Sequence, residues 1–167
     1  MSSLVIVNTR SHSITYVTDK LLTSLKNIIR LSGLNPEKLS SDWQVLERGI
    51  RRWLESEHLQ ELHLEVYHPK TDKLVGRWDF EVFYGSTGDG AFWIDTDAIK
   101  YHICKAGLWP SSCEYRIVVT NKPGRPDVEG WSTTTLRSTD GFIKQSIGTI
   151  IDGGGLRTGG SYWRKDS

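Results

Sequence analysis

A chain of 167 residues with 37% hydrophobic and 25% charged residues fits one globular domain and is too apolar to be disordered. Its formal net charge of +1 provides no overall attraction to nucleic acid or to an anionic membrane. The N-terminal apolar run is too short for a signal peptide and no segment reaches membrane-spanning length, so we expect a cytoplasmic protein with two reduced cysteines.

Two helices are predicted in the first third of the chain. Apolar residues recur at helical spacing over residues 14–29, and we expect Ser11 or Ser13 to cap this helix and Gly33 to follow its end. A second helix is predicted to start within residues 40–42, a cluster of good N-cap residues. Its apolar face comprises Trp43, Leu46, Ile50, Trp53 and Leu54.

A β-hairpin is predicted next. Apolar and polar residues alternate over residues 62–67, which is typical of a half-buried strand. Residues 69–73 supply a turn, and Leu74–Tyr84 is the returning strand.

A third helix is predicted after a glycine-rich loop at residues 85–90 and a short strand or packing patch at Phe92–Ile94. Asp95 is expected to cap this helix and Gly107 to end it, with Cys104 in the core. Its buried face comprises Ile99, Ile103 and Ala106. Residues 113–121 then alternate as another strand, so the order of elements predicts an α+β fold with an antiparallel sheet and the first helix lying against it.

The C-terminal quarter is polar where a compact domain should complete its core. Turn-forming residues at 122–127 are followed by a β-prone stretch at 131–137, a break at 138–141 and an apolar run at 142–151. Weakly amphipathic strands between glycine and proline hinges have a poorly specified register. We therefore expect an arm that can rearrange rather than a fixed core element.

Catalytic patterns are sparse. Asp79 and Glu81 share one face of a strand, as metal-binding carboxylates do, but a third carboxylate is missing and a solvated strand face is favoured. The spacing of His58, His63 and His68 by fives fits neither a helix face nor a strand face, so we expect no metal site. We expect no cofactor and no enzymatic activity.

Two further patterns are assigned plain structural roles. Residues 153–161 are glycine-rich like a phosphate-binding loop but lack its lysine, so a flexible tail is predicted over residues 152–167. Arg48, Arg51 and Arg52 form a basic patch on the second helix without the aromatic residues of a nucleic-acid stacking platform, and a solvated face is favoured.

Five stretches, which together run from about His12 to Trp163, resemble the bacterial HORMA-domain proteins. They are HSITYVTDKLLTSLKNIIRLSGL, DWQVLERGIRRWL, LEVYHPKTDKLVGRWDFEV, GDGAFWIDTDAIKYHICKAGLWPS and KPGRPDVEGWSTTTLRSTDGFIKQSIGT. These are family-specific strings rather than mechanistic motifs, so they indicate membership more than the role of any residue.

The resemblance implies a single HORMA domain with a long helix behind a sheet, divided into a core (12–121), a mobile C-terminal safety belt (122–151) and the tail. It implies a signalling switch of the antiphage operons called CBASS. In such proteins the belt closes around a closure-motif peptide or protein, and the closed form binds and activates a cGAS/DncV-like (CD-NTase) nucleotidyltransferase. An AAA+ ATPase resets the switch. The alternative from the residues alone is a small metal-dependent enzyme or nucleic-acid binder using Asp79 and Glu81.

Carried over to this chain, the resemblance implies that strand 113–121 pairs with the peptide and that strand Leu74–Tyr84 takes the belt on the other side. The belt hinges would be Gly124, Gly130 and Gly141. The tail ending at residues 161–164 would be either a closure motif for a second HORMA protein or an anchor for the belt. The peptide-contacting residues would be Tyr115, Ile117, Val119, Trp131, Thr134 and Leu136.

Overall fold

The computed structural model describes residues 2–85 and 91–165, with side chains described from Arg10 onward. The helices are α1 (Ser2–Leu31), α2 (Glu37–Ser41), α3 (Trp43–Glu55) and α4 (Thr96–Ala106). The strands are β1 (Leu59–Tyr67), β2 (Leu74–Tyr84), β3 (Phe92–Ile94), β4 (Glu114–Asn121), β5 (Phe142–Gly153) and β6 (Leu156–Lys165). In this part of the chain no helix is both long and apolar enough to cross a membrane.

The strands of the described residues form one antiparallel sheet in the order β3-β5-β6-β2-β1-β4. This confirms the α+β class, the β1–β2 hairpin and the short strand β3. The chain leaves β4 at one edge of the sheet and returns as the β5–β6 hairpin, which pairs with β2 two strands away. Residues 122–141, here called the connector, make this crossing and contain neither helix nor strand.

Helix α1 lies against one face of the sheet because its apolar residues recur on one side. Val17, Leu21 and Leu25 are fully buried, in one core with strand residues such as Leu64 and Phe80. Gly33 has a φ of +94°, as expected for a residue that follows a helix end. The prediction that Ser11 or Ser13 caps this helix was wrong, because the helix begins at Ser2.

The structure also tests the predicted cap, bounds and buried residues of the other helices. Asp95 caps α4 by accepting a hydrogen bond from the backbone N–H of Ala98 (3.0 Å). The second predicted helix is present as α3, with a separate short helix α2 ahead of it. Cys104 is exposed rather than in the core, because it lies on the outward side of α4. Of the predicted loop 85–90, residues 86–90 lie outside the described residues.

The glycine-rich C-terminus is a sheet strand, so the prediction of a flexible tail was wrong. Strand β6 pairs on one side with β2 and on the other with β5. Glycine is needed here because neighbouring side chains approach closely: a Cβ on Gly160 would lie 2.8 Å from Cδ1 of Ile150, and one on Gly153 would lie 2.7 Å from Cγ2 of Val17. Conversely, the β-prone residues 131–137 form no strand.

Candidate functional site

The candidate site is the outer edge of β4, which pairs only with β1 among the described residues. The connector faces this edge without forming a ladder with it. In the described part of the chain, two cavities of about 480 Å³ each lie between them, and a third of about 760 Å³ lies between the connector and the β1–β2 turn and reaches β4 at Arg116. We call this space the β4 channel. An unpaired strand edge bordered by side-chain cavities is suited to receiving an extended peptide as an added strand.

All six predicted peptide-contacting residues line the channel, and their contact with a peptide stays a prediction. Ile117 and Trp131 border two of the cavities, and Thr134 also borders two. Tyr115 is mostly buried, and its hydroxyl donates to the backbone carbonyl of Asn35 (2.8 Å). Burial raises the pKa of this phenol, so it stays neutral. Val119 borders the first cavity and Leu136 the second.

The predicted hinge glycines all adopt the left-handed backbone conformation. The φ angles of Gly124, Gly130 and Gly141 are +84°, +93° and +82°. Residues with side chains rarely adopt such angles, so these positions turn the connector sharply. Whether they act as hinges remains a prediction.

Trp131 fastens the first half of the connector to α3. Its indole Nε1 donates to the backbone carbonyl of Val45 (2.9 Å), and its ring meets that of Trp53 edge to face at 5.0 Å. Trp53 in turn donates to the backbone carbonyl of Pro126 (2.7 Å). The indole of Trp131 lies directly over Gly49, where a Cβ would be 2.3 Å from Nε1.

Arginines fasten the second half of the connector. Arg137 donates from Nη1 to Glu65 Oε1 (2.5 Å) and from its backbone N–H to Glu65 Oε2 (2.6 Å). Arg116 of β4 also donates to Glu65 (2.6 Å), and its other nitrogens donate to Thr134 Oγ1 (2.8 Å) and the carbonyl of Thr135 (2.6 Å). Glu65 has no exposed surface. The connector is therefore held on both sides of the β4 edge.

Behind the channel, a row of hydrogen-bonded side chains crosses the sheet from β4 to β6. Thr120 Oγ1 lies 2.9 Å from His63 Nε2, and His63 Nδ1 donates to Asp79 Oδ1 (2.6 Å). Arg77 donates to both oxygens of Asp79, and Trp163 Nε1 donates to Oδ2 (2.8 Å). The row therefore links the edge strand β4 to β6, a strand of the hairpin that follows the connector.

Asp79 is buried and ionised in this row. Burial by itself would raise the pKa of its carboxyl, but the hydrogen bonds from His63 and Arg77 outweigh that effect and lower the pKa to about 2. The predicted solvated face was wrong for Asp79, whereas Glu81 is exposed. The described residues contain no group of three or more His, Cys, Asp or Glu arranged to hold a metal.

Apart from Trp131, the residues that fasten the connector were not predicted from the sequence. Glu65 occupies a polar position in a strand where polar and apolar residues alternate, a pattern that is typical of a solvent-exposed face. It is buried because two arginines that are distant in the chain pair with it. Gly49 offered a signal, because a glycine inside an amphipathic helix weakens the helix and suggests a close approach by another group.

The comparisons with known proteins agree with this architecture. The family model "Bacterial HORMA domain 2" matches residues 1–166, and the chain belongs to that family. The search of curated proteins found no match.

Solved structures share the fold at low sequence identity. A chain of the mitotic checkpoint complex is similar with a TM-score of 0.75 at 11% identity, over 93% of this chain and 99% of that one. Caenorhabditis elegans HTP-1 bound to HTP-3 motif-1 gives 0.72 at 11% identity, over 93% and 91%. The CdnC:HORMA-deltaN complex of E. coli MS115-1 gives 0.59 at 11% identity, over 95% and 90%.

Proposed function

We propose that this chain is a peptide-binding signalling switch with no catalytic activity of its own. The observation that carries the proposal is the unpaired edge of β4, spanned by a connector that is fastened on both sides. A closure-motif peptide would enter the β4 channel as an additional strand. Its backbone would bond to β4, and the cavities around Ile117 and Trp131 would select its side chains.

The arrangement of the sheet supports a rearranging belt. The peptide is enclosed only while the connector crosses β4, and the connector crosses β4 only while the β5–β6 hairpin is paired with β2. Releasing a peptide therefore requires the hairpin to leave β2, which breaks a full ladder of backbone hydrogen bonds. Such a step suits an ATP-driven remodelling partner, and we assign this role to an AAA+ ATPase.

The downstream partner that we propose is a CD-NTase nucleotidyltransferase, which the peptide-bound form would bind and activate. Support comes from the similarity to the HORMA chain in the E. coli CdnC complex. Support for the peptide comes from the similarity to HTP-1 bound to a motif of HTP-3. The tail residues 161–164 act in this proposal as a belt anchor, because residues 161–163 pair with residues 77–79.

Selection from a displayed random-peptide library tests the proposal. We expect binders that the variant Ile117→Asp loses, because a carboxylate would then occupy the apolar wall of the channel. The matched control is Ile143→Asp, whose side chain is exposed on β5, and it should retain the same binders. Binders that tolerate Ile117→Asp would contradict a site at β4.

A turnover assay tests the absence of catalysis. The purified protein incubated with nucleotides should form no product, and oligonucleotide product should appear only with a CdnC-type nucleotidyltransferase and a selected peptide. A product formed by the protein alone would contradict the proposal.

A further inference from the structure

The β1–β2 hairpin carries a site whose shape and charge match a guanidinium group. Its walls are the Glu65 carboxylate, the Tyr67 ring and the Asp72 turn. Arg137 fills it: the guanidinium carbon lies 3.6 Å from the centroid of the Tyr67 ring, and Nη2 donates to Asp72 Oδ1 (2.6 Å). Nε donates to the backbone carbonyl of Asp72 (3.0 Å).

The site discriminates an arginine from a lysine by its geometry. Three acceptors, on Glu65 and Asp72, engage three different nitrogens of one planar group, and an aromatic face lies against the plane. A lysine ammonium is a point charge that matches neither the fork nor the stacked plane. Asp72 presents both its carboxylate and its carbonyl from a left-handed turn with a φ of +61°.

The guanidinium in this site is a partner of a buried carboxylate. Glu65 is fully buried, and the donors to its carboxylate are Arg116 and two groups of Arg137. With Arg137 in place, the two carboxylates of Glu65 and Asp72 are balanced by two guanidinium groups. If Arg137 withdrew from the site, Oε2 of Glu65 would lose its donor and the carboxylate would keep Arg116 as its one partner. Unpairing a buried charge is strongly unfavourable.

We propose that Glu65, Tyr67 and Asp72 form an arginine socket, and that insertion of Arg137 into it is the catch that holds the connector across the β4 edge. This inference rests on the proposed switch and adds its closing element. Closing the belt fills the socket, and opening it must withdraw the guanidinium from the buried carboxylate. The catch therefore adds to the barrier that must be crossed before an enclosed peptide is released.

The test compares two arginines of the same connector. Arg137→Gln empties the socket, whereas Arg125→Gln removes an arginine whose ion-pair partner, the Asp127 carboxylate, is 99% exposed. Amide hydrogen exchange is measured in the full chain without peptide at positions 131 and 137, whose backbone N–H groups donate to the Val128 carbonyl and to Glu65. We expect exchange at least about tenfold faster in Arg137→Gln than in wild type, because removing one partner of a buried charge pair acts on release. Arg125→Gln should stay within about twofold of wild type, as exposed pairs contribute little.

Two further variants separate a charge catch from loss of packing. Arg137→Lys keeps the charge and length and should behave nearly like Arg137→Gln, because the fork and the stacked plane are lost. Glu65→Gln combined with Arg137→Gln should exchange more slowly than Arg137→Gln alone, because no buried carboxylate then lacks a partner. Exchange of α1 amides reports the core, so a variant that unfolds as a whole is recognised by loss of protection there.

The outcomes are decisive in both directions. Equal exchange of the connector in Arg137→Gln and Arg125→Gln would overturn the proposal, as would a wild-type level of protection in Arg137→Lys. These measurements use no peptide, so a failure to find any binding peptide would contradict the proposed function and leave the test of the socket intact.

Discussion

The indole of Trp131 occupies the space in which a β-carbon on residue 49 would have to lie. That Cβ would lie 2.3 Å from Nε1 of the indole, 2.5 Å from Cε2 and 2.8 Å from Cζ2. Helix α3 thus contains a glycine whose absence of a side chain admits the connector. The glycine weakens the helix but makes room for the contact that closes the channel.

Gly49→Ala therefore should have opposite effects on the helix and on the connector. Alanine stabilises a helix interior by about 1 kcal/mol relative to glycine, but here the methyl group displaces Trp131. We expect loss of protection from hydrogen exchange around Trp131 and weaker capture of selected peptides, with the core intact. The control is Gly49→Ala in a Trp131→Ala background, where the same substitution should be stabilising in urea unfolding. A destabilising effect in that background would contradict the explanation.

The buried carboxylate of Asp79 predicts a stability loss in acid. Its pKa is lowered to about 2 in the folded protein, below the value of about 3.9 expected in the unfolded chain. The contribution is therefore complete above pH 4 and is lost as the pH falls from about 4 towards 2. A shift of this size corresponds to about 2–3 kcal/mol in the free energy of unfolding. Urea unfolding at a series of pH values should show this loss in wild type. In Asp79→Asn, the free energy of unfolding should depend less on pH between 4 and 2.

Trp163 should help to hold the β5–β6 hairpin in its place next to β2. Its indole donates to Asp79 (2.8 Å) and lies beneath the Arg77 guanidinium at 5.2 Å. Trp163→Phe leaves a buried carboxylate oxygen without this donor, at a cost of about 1–3 kcal/mol. We expect faster hydrogen exchange in both strands of the hairpin. Trp93→Phe, at an exposed position on β3, is the control and should leave exchange in β6 unchanged.

Deleting everything after Lys122 should unfold the protein rather than leave a stable core lacking a belt. The deletion removes Ile150, Ile151 and Tyr162, all fully buried, and exposes the edge of β2. Circular dichroism and size-exclusion chromatography would reveal loss of the fold or aggregation. A monomeric, cooperatively folding truncation would show that β5 and β6 are dispensable for the core.

Local patterns in the sequence were sufficient for most of the elements. The apolar period over residues 14–29, the alternation over residues 62–67 and the cap at Asp95 each predict structure because neighbouring residues alone set their spacing. The resemblance of the five stretches predicted the family, which the family model confirms. The six channel residues followed from the same resemblance; the structure places them beside the β4 edge, and their contact with a peptide stays a prediction.

Tertiary structure decided where the polar and glycine-rich residues lie. Glu65 and His63 follow the polar phase of a strand, yet they are buried because Arg116, Arg137 and Asp79 reach them across the sheet. Gly160 of β6 belongs to no hydrophobic pattern, since its role is to leave space for the Ile150 side chain of β5. Residues 131–137 have strand propensity but no ladder partner. Strand pairing and buried charge depend on contacts between distant segments, and a local pattern does not contain them.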